Sequence, residues 1–421
     1  MEYGLIGEHL PHSFSKEIHG RCADYDYQLT ELTPEEVPAF MEAKAFKAIN
    51  VTIPYKQTVI PYLTEIDEAA LGIGAVNTVV NRDGKLYGYN TDFYGMVSLI
   101  RRIGVSLEGK KVLILGTGGT SHTAQAVAKA ANAAAVITAG REVDHPDVTF
   151  ALAYEKHTDA DVIINTTPCG MYPYADGTPD RAGTPIDLSR FPNLCGVVDV
   201  VYNPLRTNLV LDAKERGLPA EGGLYMLVAQ AVKACRIFLG QGTAGMDELT
   251  DRIYGQIAAE KENIVLTGMP GSGKSTVGKA LAQAMNRPFI DTDEEIVKAA
   301  GKAIPEIFAE VGEIGFRELE AQVVRDVANR STGCVIATGG GAILREENVR
   351  ALRRTGRLYF LNRSLEALLP TEDRPLASTA EAIRKRYEER YDRYLATCDK
   401  EIVTDEVVEH TVQTIRKDFL S

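Results

Sequence analysis

The chain of 421 residues contains no tryptophan, no apolar run long enough to span a bilayer, and fewer basic than acidic side chains. A transmembrane helix needs about 18 or more consecutive apolar residues, so membrane insertion is not expected. The first residues, Met1-Glu-Tyr-Gly-Leu-Ile-Gly7, include no basic leader region, which argues against export. A net charge of −12 disfavours a broad basic surface for nucleic acid.

Cysteine is sparse, and its spacing excludes two kinds of site. None of the six cysteines belongs to a CxxC pair, and no cluster of histidines accompanies them. Neither a zinc site nor a disulfide framework is therefore expected. The cysteines are interpreted as reduced thiols of a cytoplasmic protein.

The sequence also lacks a long linker rich in Gly, Ser or Pro, an internal repeat and a low-complexity tract. Its length exceeds the size of one hydrophobic core, so two or three closely joined domains are expected. Strand and helix patterns alternate from residue 110 onward, which predicts a parallel, doubly wound sheet. A smaller α/β unit precedes it at residues 1–95, and the alternation restarts at Asn263, so the fold class is α/β throughout.

Residues 268–276 read Gly-Met-Pro-Gly-Ser-Gly-Lys-Ser-Thr, a complete GxxxxGK[ST] phosphate-binding motif. A short apolar strand precedes it and a helical pattern follows it, which is the order that this motif requires. Glycines let backbone N–H groups surround phosphate oxygens, while the lysine neutralises charge and the serine can ligate Mg²⁺. The motif predicts ATP binding by Gly271, Ser272, Gly273, Lys274, Ser275 and Thr276.

A second glycine-rich loop of a different kind, Gly-Thr-Gly-Gly-Thr-Ser, lies at 116–121 after the predicted strand 112–115. In a dinucleotide-binding fold, this is where the pyrophosphate meets a helix N-terminus. The acidic residue that reads the ribose of NAD is absent from the end of the second strand, where Gly140-Arg141 stands instead. Because an arginine suits a 2′-phosphate, the loop favours NADP(H) over NAD(H).

Three polar clusters in the N-terminal unit supply candidates for chemistry on a carbonyl group. They read Asn-Val-Thr-Ile-Pro-Tyr-Lys at 50–56, Gly-Ala-Val-Asn-Thr at 74–78 and Gly-Tyr-Asn-Thr-Asp at 88–92. With Ser13 and Ser15 ahead of them, these clusters resemble shikimate dehydrogenase, and the resemblance covers residues 1–258. It implies the reduction of 3-dehydroshikimate to shikimate with NADPH.

The resemblance implies that Lys56 and Asp92 form the catalytic pair, since a lysine facing a carboxylate can deliver a proton to a developing alkoxide. The substrate is then expected to contact Ser13, Ser15, Thr52, Asn77, Tyr202 and Gln230. The cofactor is expected to contact Gly116, Gly118, Gly119, Thr120, Arg141, Thr166 and Gly223. The position of Gln230 implies a discontinuous substrate and catalytic domain, 1–95 with 222–258, and a Rossmann-type NADP-binding domain at 96–221.

The C-terminal part carries three further motifs. Asp291-Thr-Asp293 ends a predicted strand, with both carboxylates expected to point to one side. Phe-Arg-Glu-Leu-Glu at 316–320 and Ala-Thr-Gly-Gly-Gly at 337–341 follow. Together these motifs resemble shikimate kinase over residues 262–421, which implies a P-loop α/β/α domain of the nucleoside-monophosphate-kinase type that phosphorylates shikimate with MgATP.

This second resemblance implies that Lys274, Asp293 and Arg374 act in phosphoryl transfer, and that Ser275 and Asp291 lie near Mg²⁺. Shikimate is expected to contact Asp293, Arg317, Gly340, Gly341 and Arg390. Two guanidinium groups suit a carboxylate substrate, because each can bind it through two hydrogen bonds. The segment 361–373 before the lid arginine is shorter than in the family and lacks its usual preceding arginine.

The two implied reactions are consecutive, because the product of the first is the substrate of the second. We therefore expect a bifunctional enzyme that acts on small molecules and has no nucleic-acid or membrane partner. Two alternatives are open: a dehydrogenase that also accepts quinate, and a nucleotide-binding regulatory module in place of the kinase. The paired serines favour shikimate, and the complete acceptor set favours turnover.

Overall fold

The computed structural model describes residues 1–10, 13–141, 146–172, 183–368 and 380–421. The chain divides into two compact units, Met1–Gln256 and Ile257–Ser421. Within the described ranges, no helix combines the length and the apolar character needed to cross a membrane.

A mixed sheet begins the first unit. Its strands are β1 (Tyr3–Gly7), β2 (Tyr27–Glu31), β3 (Ala48–Val51), β4 (Glu65–Ile66), β5 (Thr78–Arg82) and β6 (Lys85–Tyr89), in the order β2-β1-β3-β5-β6-β4. The β3/β5 and β5/β6 pairs are antiparallel. The accompanying helices are α1 (Ser15–Cys22), α2 (Glu36–Ala43), α3 (Glu68–Ile73) and α4 (Asp92–Arg102).

The parallel sheet that follows has the predicted doubly wound arrangement. Its strands are β7 (Lys111–Leu115), β8 (Ala135–Gly140), β9 (Val148–Thr149), β10 (Val162–Asn165), β11 (Gly196–Asp199) and β12 (Ala220–Glu221), in the order β12-β11-β10-β7-β8-β9. The helices are α5 (Gly119–Ala130), α6 (Phe150–Lys156), α7 (Asn208–Glu215) and α8 (Leu224–Phe238), and α9 (Met246–Lys261) begins in this unit and ends in the next. Apolar residues on both faces of this sheet pack into separate clusters, as expected when helices cover both faces. The strand order reverses between β7 and β10, which is where ligands bind in such sheets.

The second unit contains another parallel sheet. Its strands are β13 (Asn263–Thr267), β14 (Phe289–Asp291), β15 (Val335–Ala337), β16 (Gly356–Asn362) and β17 (Lys400–Val403), in the order β14-β15-β13-β16-β17. The helices are α10 (Lys274–Ala284), α11 (Thr292–Ala300), α12 (Ile304–Arg330), α13 (Glu346–Thr355), α14 (Ala380–Thr397) and α15 (Val408–Phe419). Because β13 is central, the phosphate loop that follows it opens at the middle of the carboxyl edge of the sheet.

One local prediction was wrong: the strand expected to carry both Asp291 and Asp293 ends at Asp291. The Asp291 side chain accepts the backbone N–H of Asp293 at 3.0 Å and so caps α11. An N-cap aspartate and acidic residues in the first turn both favour helix formation at this point. Asp293 therefore projects from the first turn of a helix, whereas Asp291 stays at the strand end.

Candidate active sites

A cleft of about 620 Å³ opens in the first unit. It collects all of the residues predicted for catalysis and substrate binding in the N-terminal half, namely Ser13, Ser15, Thr52, Lys56, Asn77, Asp92, Tyr202 and Gln230. Thr120 and Gly223, predicted to contact the cofactor, line it as well. The other predicted cofactor residues lie outside this lining.

Lys56 and Asp92 form an ion pair in the cleft. Lys56 follows β3 and Asp92 begins α4, and their Nζ and Oδ2 atoms are 2.6 Å apart. The two side chains are only 20% and 13% exposed, so solvent screens this pair less than it screens pairs on the open surface. The carboxylate fixes the direction of the ammonium hydrogens, which is the geometry that a positioned proton donor requires.

A buried hydrogen-bond network fixes the amides of Asn77 and Gln230. Asn77 Oδ1 accepts the backbone N–H of Thr91 at 2.8 Å, and the Thr91 hydroxyl donates to Gln230 Oε1 at 3.1 Å. Behind them, the Tyr27 hydroxyl donates to Asn50 Oδ1 at 2.7 Å, and Asn50 Nδ2 donates to the Asn77 carbonyl at 3.2 Å. Satisfied polar networks in a low-dielectric interior hold one orientation, so the two amides face the cleft in fixed positions.

The start of α1 brings both predicted serines to the same cleft. Ser13 Oγ accepts the backbone N–H of Ser15 at 3.2 Å. Between them, the Phe14 ring packs against the Tyr202 ring with the centroids 5.3 Å apart. This aromatic contact connects the serine segment to the loop after β11.

The loop after β7 fits a dinucleotide. Gly116 has φ 107°, and a Cβ there would lie 2.8 Å from Thr166 Oγ1, so glycine is required. A Cβ on Gly118 or Gly119 would meet no described atom within 4 Å, which leaves the N-terminus of α5 open to an anion. Arg141 is exposed directly after β8, and a Cβ on Gly140 would lie 3.2 Å from Thr117 of the loop.

The phosphate loop encloses its lysine. Lys274 is 7% exposed, and its Nζ donates to the carbonyls of Gly268 and Met269, both at 2.9 Å. Gly271 and Gly273 have φ of 83° and 89°, a region that favours glycine. Ser272 Oγ is buried and has no hydrogen-bond partner within the described part of the chain, so a polar atom inside the loop is left for a ligand.

Ser275 and Asp291 form a pair suited to Mg²⁺. The Ser275 hydroxyl donates to Asp291 Oδ2 at 2.6 Å. Mg²⁺ prefers oxygen ligands and is usually held by one or two protein groups together with phosphate and water. In the ranges that the structure describes, no group of three or more His, Cys, Asp or Glu residues could hold a metal by itself. The donor set therefore fits a magnesium ion that arrives with a nucleotide.

The three glycines after β15 lie beside residues predicted to bind shikimate. A Cβ on Gly339 would lie 2.6 Å from Asp293 Oδ1, and one on Gly340 would lie 2.8 Å from Pro270 of the phosphate loop. A Cβ on Gly341 would overlap the guanidinium group of Arg317. The space beside each glycine is thus filled by a side chain that the absence of a Cβ allows to approach closely.

Arg317 and Arg390 supply the cationic side of this site. Arg317 is paired with Glu320 at 2.8 Å and with Glu313 at 3.3 Å. Glu320 is 1% exposed, and burial raises the pKa of its carboxyl while the Arg317 guanidinium opposes the shift. Arg390 Nη1 donates to the Gly340 carbonyl at 3.3 Å, and its buried Nε has no partner within the described ranges. Arg374, the predicted lid residue, lies outside the described residues.

Comparisons with known proteins agree with the arrangement of the first unit. Residues 5–79 match the family model of the shikimate dehydrogenase substrate binding domain. The NADP(+) shikimate dehydrogenase of Clostridium perfringens is 36% identical over 255 residues, which span 56% of this chain and 92% of that protein. The chain belongs to the shikimate dehydrogenase family. The enzyme of the same name from Methanosphaera stadtmanae is 34% identical over 267 residues, spanning 56% of this chain and 91% of its own.

Solved structures give the same result for the dehydrogenase half. Shikimate dehydrogenase 1 from Peptoclostridium difficile matches with a TM-score of 0.54 and 31% identity, covering 61% of this chain and 98% of that one. A chorismate mutase/shikimate 5-dehydrogenase fusion protein from Clostridium acetobutylicum matches with a TM-score of 0.54 and 32% identity, covering 61% and 96%. Residues 270–419 match the shikimate kinase family model. The polypeptide thus joins a shikimate dehydrogenase half to a shikimate kinase half.

Several supporting residues were missed by reasoning from the sequence. Asn50, Thr91 and Glu320 stand inside the motifs quoted above, but only the structure shows that they hold Asn77, Gln230 and Arg317. Tyr27 lies in no motif, and its role follows only from the distance of 2.7 Å to Asn50. No signal in a single sequence identifies such a residue.

Proposed function

We propose that the chain is a bifunctional enzyme that reduces 3-dehydroshikimate to shikimate with NADPH and phosphorylates shikimate to shikimate 3-phosphate with MgATP. The observation that carries this conclusion is the match of one polypeptide to shikimate dehydrogenases at 36% identity and, over residues 270–419, to shikimate kinase. The two reactions are consecutive, so each assignment supports the other.

In the dehydrogenase half, NADPH supplies a hydride to the carbonyl carbon of the substrate. Lys56 delivers a proton from Nζ to the carbonyl oxygen as negative charge develops there. Asp92, 2.6 Å from that Nζ, orients the ammonium group and accepts a hydrogen bond from a substrate hydroxyl. We assign the remaining hydroxyl and carboxylate contacts to Ser13, Ser15, Thr52, Asn77, Tyr202 and Gln230.

We assign the NADP(H) site to the loop after β7 and to its neighbours. The open N-terminus of α5 at Gly118 and Gly119 suits the pyrophosphate, and the exposed Arg141 suits the 2′-phosphate. The full proposed set is Gly116, Gly118, Gly119, Thr120, Arg141, Thr166 and Gly223. Preference for NADP over NAD rests on Arg141.

In the kinase half, ATP with Mg²⁺ supplies the phosphoryl group. Lys274 neutralises charge on the phosphates, and Ser275 with Asp291 would hold the magnesium ion. Asp293 takes or orients the proton of the attacking hydroxyl, while Arg317 and Arg390 bind the carboxylate of shikimate. The phosphates are assigned to Gly271, Ser272, Gly273, Lys274, Ser275 and Thr276, with Arg374 as lid residue, and shikimate to Asp293, Arg317, Gly340, Gly341 and Arg390.

We further propose the domain assignment 1–95 with 222–258 for the substrate, 96–221 for NADP and 262–421 for the kinase. A cytoplasmic location is proposed on the six cysteines, none of which is in a disulfide. The acidic net charge of −12 supports small-molecule substrates without a nucleic-acid partner.

One incubation tests both activities. The protein is mixed with 3-dehydroshikimate, NADPH, ATP and Mg²⁺, NADPH is followed by absorbance, and products are identified by mass spectrometry. Loss of NADPH with formation of shikimate 3-phosphate is expected. Accumulation of shikimate with stoichiometric ATP binding would favour the regulatory module over the kinase. If neither NADPH nor NADH is consumed, the dehydrogenase assignment is refuted. In a separate assay of the reverse reaction, equal kcat/KM for quinate and shikimate would broaden the assignment to both acids.

A further inference from the structure

Asp199 is a buried carboxylate of the dehydrogenase half that takes no part in the chemistry above. It ends β11 and is 0% exposed. Burial raises the pKa of Asp199 to about 6, although hydrogen bonds from Thr207, Val201 and Asn165 oppose that shift. A carboxylate is costly to bury in its charged form unless hydrogen-bond donors surround it.

The two oxygens of Asp199 accept hydrogen bonds from the end of β10, from the loop after β11 and from the N-cap of α7. Oδ1 accepts Asn165 Nδ2–H at 2.9 Å and the backbone N–H of Val201 at 3.0 Å. Oδ2 accepts the hydroxyl of Thr207, the N-cap of α7, at 2.6 Å. Oδ1 thus joins the end of β10 to the loop after β11, while Oδ2 bonds to the helix cap.

The loop after β10 carries a proposed cofactor residue, Thr166. Asn165 Oδ1 accepts both the backbone N–H and the hydroxyl of Thr167, at 3.1 and 2.7 Å. With its NH₂ group on Asp199 and its oxygen on Thr167, the amide of Asn165 has one orientation. Thr166 lies between Asn165 and Thr167, and its own N–H and hydroxyl donate to the Leu115 carbonyl at 2.8 and 2.7 Å, next to Gly116 of the dinucleotide loop. The amide of Asn165 thus fixes the chain on both sides of Thr166.

The loop after β11 carries a proposed substrate residue, Tyr202. Val201, whose N–H binds Asp199, directly precedes Tyr202, and Tyr202 lines the cleft. The Val201 carbonyl accepts the N–H of Gly223 at 2.8 Å, so Gly223 is tied to the same loop. A single buried carboxylate therefore connects Thr166, Tyr202 and Gly223.

We propose that Asp199 is a positioning residue of the dehydrogenase. Through Oδ1 it holds the Thr166 loop and the Tyr202 loop at a fixed separation, so that the cofactor and the substrate bind in a fixed position relative to each other. This inference rests on the proposed reduction reaction. It concerns neither the catalytic pair nor the kinase half.

The test compares Asp199→Ala with its conservative variant Asp199→Asn. Alanine removes both acceptors, and the KM values for NADPH and for 3-dehydroshikimate should each rise about tenfold, the effect of about one lost hydrogen bond. Asparagine can keep an oxygen toward both loops and turn its NH₂ toward Thr207, so both KM values should return to within threefold of wild type. Phosphorylation of shikimate by the same preparation reports the amount of folded kinase half and so gives a common protein concentration for the variants.

Thr207→Val is the matched control, because it removes only the Oδ2 contact and the helix cap. It should lower the thermal stability of the dehydrogenase half and leave both KM values within twofold of wild type. If Asp199→Ala does not fold, Asn165→Ala decides the question, since it should raise the KM for NADPH about tenfold.

KM values within twofold of wild type in Asp199→Ala, or in Asn165→Ala where the first does not fold, would overturn the proposal. So would a Thr207→Val variant with the same KM increases, because the effect would then be one of stability alone. A wild-type protein that does not oxidise NADPH with 3-dehydroshikimate would instead refute the proposed function, so the two failures are distinguishable.

Discussion

Replacing Gly341 by alanine tests whether Arg317 binds the acceptor carboxylate in the kinase half. The new Cβ would occupy space that the Arg317 guanidinium now fills. That side chain is 13% exposed and is held by Glu320 and Glu313 at 2.8 and 3.3 Å, so it cannot retreat without losing ion-pair contacts. Restoring an ordinary van der Waals distance requires a displacement of about 1.5 Å.

The size of the effect follows from the contact that is lost. A hydrogen bond to a charged group contributes about 1.5–3 kcal/mol. At about 1.36 kcal/mol per factor of ten, kcat/KM for shikimate should fall about 10- to 150-fold. The KM for ATP should stay at the wild-type value, because the three atoms nearest to the new Cβ all belong to Arg317 and none to the phosphate loop.

The assay is steady-state phosphorylation with shikimate varied at saturating MgATP, followed by the converse titration. The dehydrogenase activity of the same preparation is the internal control and should not change. Arg317→Lys should weaken shikimate binding too, and the double variant should lose less than the sum of the single losses. A KM for shikimate within twofold of wild type in Gly341→Ala, or full additivity, would refute the role assigned to Arg317.

Three further outcomes are expected. Lys56→Ala should lower kcat for reduction by about 10²- to 10⁴-fold and spare phosphorylation, whereas Lys274→Ala should do the reverse; separate assays check this, and loss of both activities in either variant would contradict two independent sites. Chelation of divalent cations with EDTA should stop phosphorylation, reversibly on addition of Mg²⁺, and leave NADPH oxidation intact; inhibition of both reactions would argue against a metal confined to the kinase. Burial lowers the pKa of His19 from its ordinary 6.5 to about 3. Between pH 6.5 and pH 3 the unfolded chain therefore binds a proton that the folded chain does not, so the free energy of unfolding falls as the pH decreases. Between pH 7 and pH 5 the wild type should lose about 2 kcal/mol more unfolding free energy than His19→Gln, as measured by hydrogen exchange of β1 and β3. Equal losses of unfolding free energy in the two proteins would contradict this reasoning.

Much of both sites could be predicted from the sequence because their chemistry is local. The phosphate loop at 268–276 and the loop at 116–121 are continuous segments in which glycine spacing, a preceding strand and a following helix suffice. The resemblance carried by their motifs predicts Lys56 and Asp92 as a pair, and the structure places their side chains 2.6 Å apart although 36 residues separate them. The strand expected through Asp293 failed because helix capping by Asp291 outweighed the alternation of polar residues.

The amino-acid sequence alone determined the fold class, the two nucleotide-binding loops and the types of residue available for proton and phosphoryl transfer, since periodicity and short motifs carry this information. Only the tertiary structure decided which distant residues support them. Asp199 lies 34 positions from Asn165, and Thr91 lies 139 positions from Gln230, yet each pair is hydrogen-bonded. Parallel strands bring their carboxyl ends to one edge whatever the separation along the chain, and a buried polar group must find its partner there. Partners chosen in this way follow from packing, which no local pattern encodes.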